Sequence, residues 1–387
     1  MKASAVLSAL HIREPRAQQL LALNGQERRE ALDFCDKQGI TLFLRNFLPE
    51  ETAAAVEKNQ QRLRLLQDTS RRLTELPYEF VTLKGTTQCE LFGVRPEDRP
   101  QYDVDLFLPQ PSTEQARDVL LTWNYESIPG MDDFPTDHLP GLFPRTTWRW
   151  RDDYFDPEMP LAIELHFRLW NAQLERIDAP GVDEFWGRRV QREVGGVPLT
   201  VLCPQDAAAY AALHLLKHLL QGSVRCLHVY ELARFLHTRA TDEVFWSEWQ
   251  NLHPPQLRRL QTVAFLLAQS WFGCEMPSAV QEEAQRLPKS VRTWFAEFAT
   301  SPMVQPFHPN KDELWLHLSL LRSWGDRFSV ARRRLFPANL PPPSRASETQ
   351  SRHRVYAAWL ASRFRHHAIS LFKTGASGIR FWKRLRR

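Results

Sequence analysis

The chain of 387 residues, with 43% hydrophobic and 25% charged side chains, has the composition of an ordinary globular protein and the length of two or three domains. Its five cysteines are widely spaced without a C-x-x-C pair, which argues against a zinc cluster or a disulfide framework. The net charge of +5 hides an asymmetry, because residues 350–387 carry ten Lys or Arg and no Asp or Glu, which leaves −5 on residues 1–349.

Residues 1–77 are predicted to form an N-terminal helical segment. Its longest helix is expected from Glu50 to Leu76, where apolar side chains recur at helical spacing, at Val56, Leu63, Leu66 and Leu73. Pro77 then ends the helical pattern, as a proline tends to do.

Residues 78–203 change to short β-branched and aromatic runs, which indicate strands. Strands are predicted at 78–83, at 102–108, at 160–170 and in a hairpin over 189–202. The hairpin is expected to turn at Gly195–Gly196. A helix is expected to open at the capping-box pair Ser112 and Gln115. This mixture predicts an α+β fold, in which a small mixed β-sheet core is flanked by N-terminal and C-terminal helical segments.

The remainder of the chain is predicted to be helical apart from one linker. A helical domain is expected over residues 204–336, beginning with the proline and aspartate of PQDAAAYAALHLLKHLL. Residues 337–350 are rich in proline and serine, which is typical of a linker. Residues 351–387 form a basic amphipathic tail.

Two aspartates, Asp103 and Asp105, lie one residue apart in the predicted strand 102–108. Alternate residues of a strand point to the same face, so both carboxylates need a cation near them. Glu164, on the polar face of the strand 160–170, would supply a third carboxylate and a candidate base for an acceptor hydroxyl. This pattern predicts a site for Mg²⁺, with two ions expected and Mn²⁺ as an alternative.

Lys84, Gly85 and Thr86 directly follow the first predicted strand. A glycine turn in that place lets backbone N–H groups and a hydroxyl approach a phosphate, and Lys84 would add a positive charge. The alternative interpretation is that the two aspartates merely flank an exposed edge strand and do no chemistry.

His166 and Arg168 share the polar face of their strand with Glu164. His166 would orient that carboxylate or contact the substrate, and a hydrogen-bonded structural histidine is the equal alternative. Arg168 would bind phosphate or, as we prefer, pair with an aspartate. Both are therefore auxiliary candidates.

His214 and His218 have the i, i+4 spacing of a zinc-ligand pair on a helix. The Glu that follows the first His in zinc proteases is missing, and the adjacent Lys217 disfavours a bound cation. A zinc protease is therefore not expected.

The segments LKGTT, RPQYDVDLFL, DHLP, IELHFRLW and LHLLKHLL occur in this order over about residues 30–335. Together they resemble the uncharacterised nucleotidyltransferase family of bacteria, within the polymerase-beta-like nucleotidyltransferase superfamily. The resemblance implies a small mixed sheet with a metal site, and transfer of a nucleoside monophosphate from an NTP with release of pyrophosphate. It implies that Asp103 and Asp105 are the metal-binding pair, Glu164 the third carboxylate, and Gly85–Thr86 the turn that grips the triphosphate.

The same resemblance places Lys217 in an H-x-x-K-H pattern that would reach the triphosphate, and it includes His138 without implying a role for it. Two features depart from the family pattern. The gap of 18 residues from Gly85 to Asp103 is longer than in compact superfamily members, and the third acid is Glu where many relatives have Asp.

The leading hypothesis is a cytoplasmic, Mg²⁺-dependent nucleotidyltransferase that uses an NTP such as ATP and an unknown acceptor. A glycosyltransferase that holds Mn²⁺ and a nucleotide-sugar through D-x-D is a second hypothesis, which the Gly–Thr turn disfavours. A catalytically idle nucleotide-binding or scaffolding protein is the non-enzyme alternative.

The basic tail carries an apolar stripe, expected at Tyr356, Leu360, Phe364, Ala368 and Leu371. It would dock as a final helix on the acidic body or on a partner helix. Alternatively, it would lie on an anionic membrane surface and place the protein peripherally at the membrane through residues 351–387. Nucleic acid is the third option and ranks behind both.

Overall fold

The computed structural model, which describes residues 2–127, 137–305, 309–335 and 352–386, confirms the α+β fold. Within these ranges seven strands form one mixed sheet, with helical segments before and after it. No helix in the described ranges is long and apolar enough to cross a membrane. The predicted linker 337–350 lies outside the described residues.

The strands are β1 (Val81–Leu83), β2 (Asp103–Phe107), β3 (Tyr125–Ser127), β4 (Leu142–Pro144), β5 (Ala162–His166), β6 (Val190–Val194) and β7 (Val197–Val201). The helices are α1 (Lys2–Ala9), α2 (Gln18–Leu21), α3 (Gly25–Gln38), α4 (Pro49–Leu73), α5 (Gln110–Thr122), α6 (Ala172–Glu175), α7 (Pro204–Gln221), α8 (Cys226–Thr238), α9 (Glu243–Leu252), α10 (Pro255–Phe272), α11 (Ser278–Gln285), α12 (Lys289–Phe298), α13 (Ser301–Val304), α14 (Glu313–Leu320), α15 (Trp324–Leu335) and α16 (Arg352–Arg386).

The sheet has the strand order β3-β4-β5-β2-β1-β7-β6. The pairs β2–β5 and β1–β7 are parallel, and the other neighbours are antiparallel. The strands predicted from the sequence are present, although β1, β2 and β5 are shorter than expected, and the hairpin β6–β7 turns at the predicted glycines. Strands β3 and β4, of three residues each, were not predicted.

Alternation along β2 and β5 separates an apolar face from a polar face. Val104 and Leu106 of β2 join Ile163 and Leu165 of β5 in a buried apolar cluster that also contains side chains of α4 and α5. The residues between them, which carry the carboxylates, therefore point to the opposite face of the sheet.

Helix α4 fixes the segment that leads into β2. The Arg62 side chain is buried, and its guanidinium donates hydrogen bonds to the backbone oxygens of Gln101, Asp156 and Met159. Asn59 donates one more to the backbone oxygen of Glu97. A buried guanidinium needs such acceptors, so these contacts tie the loop before β2 to the helix.

Helix α5 starts earlier than the sequence predicts. It begins at Gln110 with Pro111 in its first turn, where the missing backbone N–H of a proline costs nothing. Ser112 therefore lies inside the helix, and the expected capping box with Gln115 is wrong.

The chain divides into two compact units. The first unit comprises the described residues within 1–174, 178–216 and 225–285 and contains the whole sheet. The second comprises those within 175–177, 217–224 and 286–387. The domain boundaries given above at residues 77, 203 and 336 stay a prediction.

In the second unit, helix α16 packs through one side of its C-terminal half. Phe381 is buried, stacks on Trp315 and contacts Phe298. Of the predicted apolar stripe, Phe364 and Ala368 are exposed, so the stripe is not the packing side. The side chains of Tyr356 and Leu360 lie outside the described residues.

His317 in the second unit is a buried neutral histidine. Its Nε2 donates to the backbone oxygen of Glu175 at 2.8 Å, and its Nδ1 is buried without a partner among the described residues. Burial lowers the pKa of His317 to about 4. Protonation would therefore place a charge at Nδ1 with no acceptor in the described structure to receive it.

We expect this unit to be acid-sensitive. The unfolded chain takes up a proton at His317 near its ordinary pKa, whereas the folded chain does not until about pH 4, so stability falls as pH falls through that window. Between pH 7 and pH 5 the wild type should lose about 2 kcal/mol more than His317→Gln. Urea unfolding at both pH values measures this difference, and an equal loss in the two proteins would contradict it.

Candidate functional site

The register of β2 and β5 brings two predicted site residues side by side. The parallel pairing sets Asp105 opposite Glu164, Asp103 opposite Ala162, and Phe107 opposite His166. Because side chains alternate along both strands, Asp103, Asp105, Glu164 and His166 all belong to the polar face of the sheet. Glu164 thus lies on the strand next to the one that carries the two aspartates, and its role as a third site carboxylate stays a prediction.

Asp105, Glu164 and His166 form a close cluster. Each offers a ligand atom, and these atoms all lie within 4.8 Å of one another. His166 Nε2 lies 2.9 Å from Asp105 Oδ1 and 3.7 Å from Glu164 Oε2. The Asp105 side chain is 2% exposed and that of Glu164 27%, so the cluster is open to solvent on the Glu164 side.

Lys84 lies against this cluster. Its Nζ is 3.0 Å from Asp105 Oδ1 and 3.3 Å from His214 Nε2. The Lys84 backbone has φ +47°, a region that residues other than glycine rarely adopt. The sequence predicted that Lys84 would face a phosphate, and it did not predict the ion pair with Asp105.

The pKa values of the two aspartates show that nearby positive charge compensates them unequally. Burial alone would raise the pKa of Asp105, but Lys84 and His166 outweigh it and hold the pKa well below its usual range. Burial, followed by the negative charge of Asp105, raises the pKa of Asp103 to about 6, although Lys84 opposes this. Lys84 therefore compensates the negative charge of Asp105 well and that of Asp103 less well.

Burial would also raise the pKa of Glu164, but the neighbouring His166, followed by the charges of His138 and Lys84, outweighs it and the pKa is lowered. Burial would lower the pKa of His166, whereas Asp105 and then Glu164 raise it above the ordinary value. The cluster thus favours an ionised Glu164 beside a histidine that holds its proton more tightly than usual.

The predicted glycine turn is a 3₁₀ helix at Gly85–Gln88, directly after β1. The backbone N–H of Thr86 donates to Gln101 Oε1 at 3.0 Å, and Gln101 Nε2 donates to the backbone oxygen of Asp103 at 2.7 Å. Gly85 has φ +65°, and a Cβ there would lie 2.5 Å from the Gln101 amide. The glycine is therefore required both by its backbone angle and by Gln101, which ties the turn to β2.

His138 is a site residue to which the sequence assigned no role. Its Nδ1 lies 2.7 Å from the backbone oxygen of Leu139, which can only accept, so Nδ1 carries the proton. Its Nε2 lies 4.0 Å from Glu164 Oε2, and its ring centroid is 5.0 Å from that of His166. An isolated β-bridge between the backbones of His138 and His166 brings the two histidines together. In the sequence, only the family-like DHLP segment pointed to His138 as a site residue.

The other predicted residues have different neighbours. The Arg168 guanidinium lies over the Phe167 ring, 4.8 Å from its centroid. Lys217 belongs to the second unit, where its charge acts on Glu175, whose pKa is nevertheless raised by burial. His218 Nδ1 lies 2.9 Å from Ser223 Oγ. A role in nucleotide binding for Arg168 or Lys217 stays a prediction.

The donor set fits a divalent cation. Carboxylate oxygens are the ligands that Mg²⁺ prefers, and an imidazole nitrogen also suits Mn²⁺ and Zn²⁺. After burial, the negative charge of Asp105 contributes to the raised pKa of Asp103, and such a cation would offset that charge. The buried cluster of Asp105, Glu164 and His166 could therefore hold a metal ion.

A family model described as uncharacterised nucleotidyltransferase matches residues 38–273, well over half of the chain. The matched range contains the turn at Gly85, the D-x-D strand, Glu164 and the histidines around them. Comparison with curated proteins and with solved structures gave no match. On the family model, the chain belongs to the uncharacterised nucleotidyltransferase family.

Proposed function

We propose that the protein is a polymerase-beta-like nucleotidyltransferase that moves a nucleoside monophosphate from an NTP to an acceptor hydroxyl. The observation that carries the proposal is the pairing of Asp105 with Glu164 on adjacent parallel strands, with Asp103 on the same face. This arrangement gathers three carboxylates beside a glycine turn, as the transfer of a highly charged phosphoryl group requires. The family match supports the transferase class.

Asp103, Asp105 and Glu164 would hold Mg²⁺ or Mn²⁺. When bound, a divalent cation supplies neutralisation of the triphosphate charge and polarisation of the acceptor hydroxyl. Because Glu164 is the cluster carboxylate with the more exposed side chain, it would be the one that an acceptor reaches from solvent. Its lowered pKa keeps it ionised at neutral pH, so it is able to receive a proton.

The reaction would form a bond from the acceptor oxygen to the α-phosphorus and break the bond from that phosphorus to the bridging oxygen. Pyrophosphate leaves, and the hydroxyl proton passes to Glu164. His166, whose Nε2 lies 3.7 Å from Glu164 Oε2, would orient this carboxylate. Lys84, Gly85 and Thr86 would position the triphosphate.

The ion pair of Lys84 with Asp105 favours one competing function, a catalytically idle nucleotide-binding protein. In that case the lysine would permanently replace the metal at the Asp105 oxygen. NTP binding that calorimetry found independent of divalent cations would support this alternative.

The carboxylates of the cluster should be indispensable for transfer. Asp105→Asn or Glu164→Gln removes a charge at the reacting phosphate, and we expect activity to fall by about 100-fold or more. The measurement is transfer of label from α-phosphate-labelled NTPs to components of a cell extract with Mg²⁺, and with EDTA as the metal-free arm.

Asp118→Asn is the matched control for those variants, because Asp118 is an exposed acid on α5 that pairs only locally with Arg117. It should retain wild-type transfer. Undiminished transfer in Asp105→Asn would remove the proposed metal site, and the absence of any transfer by the wild type would favour the idle alternative.

The stability of a Lys84 variant should distinguish the transferase from the idle nucleotide-binding protein. Lys84→Met leaves a buried carboxylate without its ammonium, which should cost about 3–5 kcal/mol when no divalent cation is present. If a cation binds Asp105, saturating Mn²⁺ should recover most of this loss. Urea unfolding with and without Mn²⁺ gives both values.

Lys58→Met is the control for that measurement, since Lys58 forms a half-exposed ion pair with Asp153. Its effect should stay within about 1 kcal/mol and should not depend on Mn²⁺. A Lys84→Met protein whose lost stability Mn²⁺ does not recover would indicate an idle site.

A further inference from the structure

Helix α16 has mostly hydroxyl side chains on the side that packs within the second unit, and large apolar side chains on its exposed side. On its packing side, Ser370, Thr374 and Ser377 are each 1% exposed and precede the buried Phe381 at helical spacing. The hydroxyl of Thr374 accepts from the backbone N–H of Lys311 at 3.1 Å. The hydroxyls of this side are thus partly used in contacts within the second unit, and the side is more polar than a helix interface usually is.

The opposite side carries the bulky apolar residues. Phe372 is 81% exposed and Ile379 60%, and Ile369 lies on the same line, three residues before Phe372. Lys373 and Arg380 follow one flank of this line. We call Ile369, Phe372, Lys373, Ile379 and Arg380 the outer face of α16.

Exposed large hydrophobic side chains are more concentrated on α16 than in the rest of the described structure. Of the twelve large hydrophobic side chains that are exposed among the described residues, five lie on α16: Phe364, Ile369, Phe372, Ile379 and Trp382. Exposed large apolar side chains concentrated on one helix mark an interaction surface rather than chance.

The charge of the segment restricts the partner. Residues 350–387 contain ten Lys or Arg and no acid, so a second copy of the same face would be repelled. This concentration of positive charge favours an anionic partner. The face also presents the branched aliphatic side chains of Ile369 and Ile379, which, unlike Phe372, have no π face on which a nucleic acid base could stack, and this favours lipid over nucleic acid.

We propose that the outer face of α16 binds the surface of a bilayer that contains anionic phospholipids. The helix would lie in the plane of the interface, with Phe372 and Ile379 below the headgroups and Lys373 and Arg380 near the lipid phosphates. The inference is independent of the proposed transferase activity, and it would place the protein on a membrane surface.

The test is co-sedimentation of the full chain with vesicles of phosphatidylcholine alone or mixed with phosphatidylglycerol. The wild type should pellet with the mixed vesicles and much less in high salt. Phe372→Ser/Ile379→Ser should lower the partition coefficient at least about tenfold, and Lys373→Glu/Arg380→Glu should do the same. Because all four side chains are exposed, each variant should melt like the wild type.

Val244→Ser is the matched control, since Val244 is 71% exposed on α9 of the first unit. It should bind vesicles like the wild type. A wild type that does not pellet with the mixed vesicles, or an equal loss in Val244→Ser, would overturn the proposal. Binding to poly(U) RNA that survives Phe372→Ser/Ile379→Ser, without vesicle binding, would assign the charges to nucleic acid instead. Self-association lost in that variant would assign the face to a second copy.

Discussion

The proposed site depends on the compensation of three carboxylates that share one face of two parallel strands. Asp103, Asp105 and Glu164 would carry three negative charges, and the Lys84 ammonium contacts Asp105 directly. Like charges on one face of a sheet repel each other, and burial adds to their cost, so positive charge beside them stabilises the site. The register of β2 with β5 is the geometric condition, because a shift of one residue would turn Glu164 into the apolar core.

The surrounding loops hold that charge arrangement in place. Gln101 connects the glycine turn to β2 through Thr86 and Asp103, and Arg62 holds the backbone of Gln101 from helix α4. The unusual backbone angle of Lys84 directs its side chain to Asp105, and such an angle persists only where the neighbouring structure fixes it. The site is thus built on a strand pair and fixed by side chains far away in sequence.

The sequence was sufficient for those features that depend on local alternation. The D-x-D strand, the polar face of β5 with Glu164 and His166, and the glycine turn all follow from periods of two and from the conformational freedom of glycine. It was insufficient where a contact joins distant segments. Lys84 and Asp105 are 21 positions apart, and the contacts of His138 with Glu164 and of His214 with Lys84 require the fold itself.

The same distinction explains the errors in individual elements. Strands β3 and β4 have three residues each, too few for an alternating pattern to be recognised. The start of α5 was placed at a serine because capping boxes are common, although Pro111 is as good a first-turn residue. In α16 docking of the apolar stripe was one of three alternatives, but the packing side is formed by hydroxyls and Phe381, where Trp315 stacks on Phe381 and donates to the Ser377 hydroxyl.

The charge balance bears directly on whether the site is active or idle. A fold that had abandoned the metal would need no more acid than its lysine neutralises, yet two carboxylates remain beyond the one that Lys84 pairs with. Asp103 has its pKa raised to about 6, first by burial and then by the charge of Asp105. The protonated form of His166 would offset only part of it. Glu164 meanwhile keeps an exposed edge. Negative charge that opens towards solvent suits a divalent cation, which would in turn attract a triphosphate, and this supports the proposal of an active site in which Lys84 is the counter-ion of Asp105.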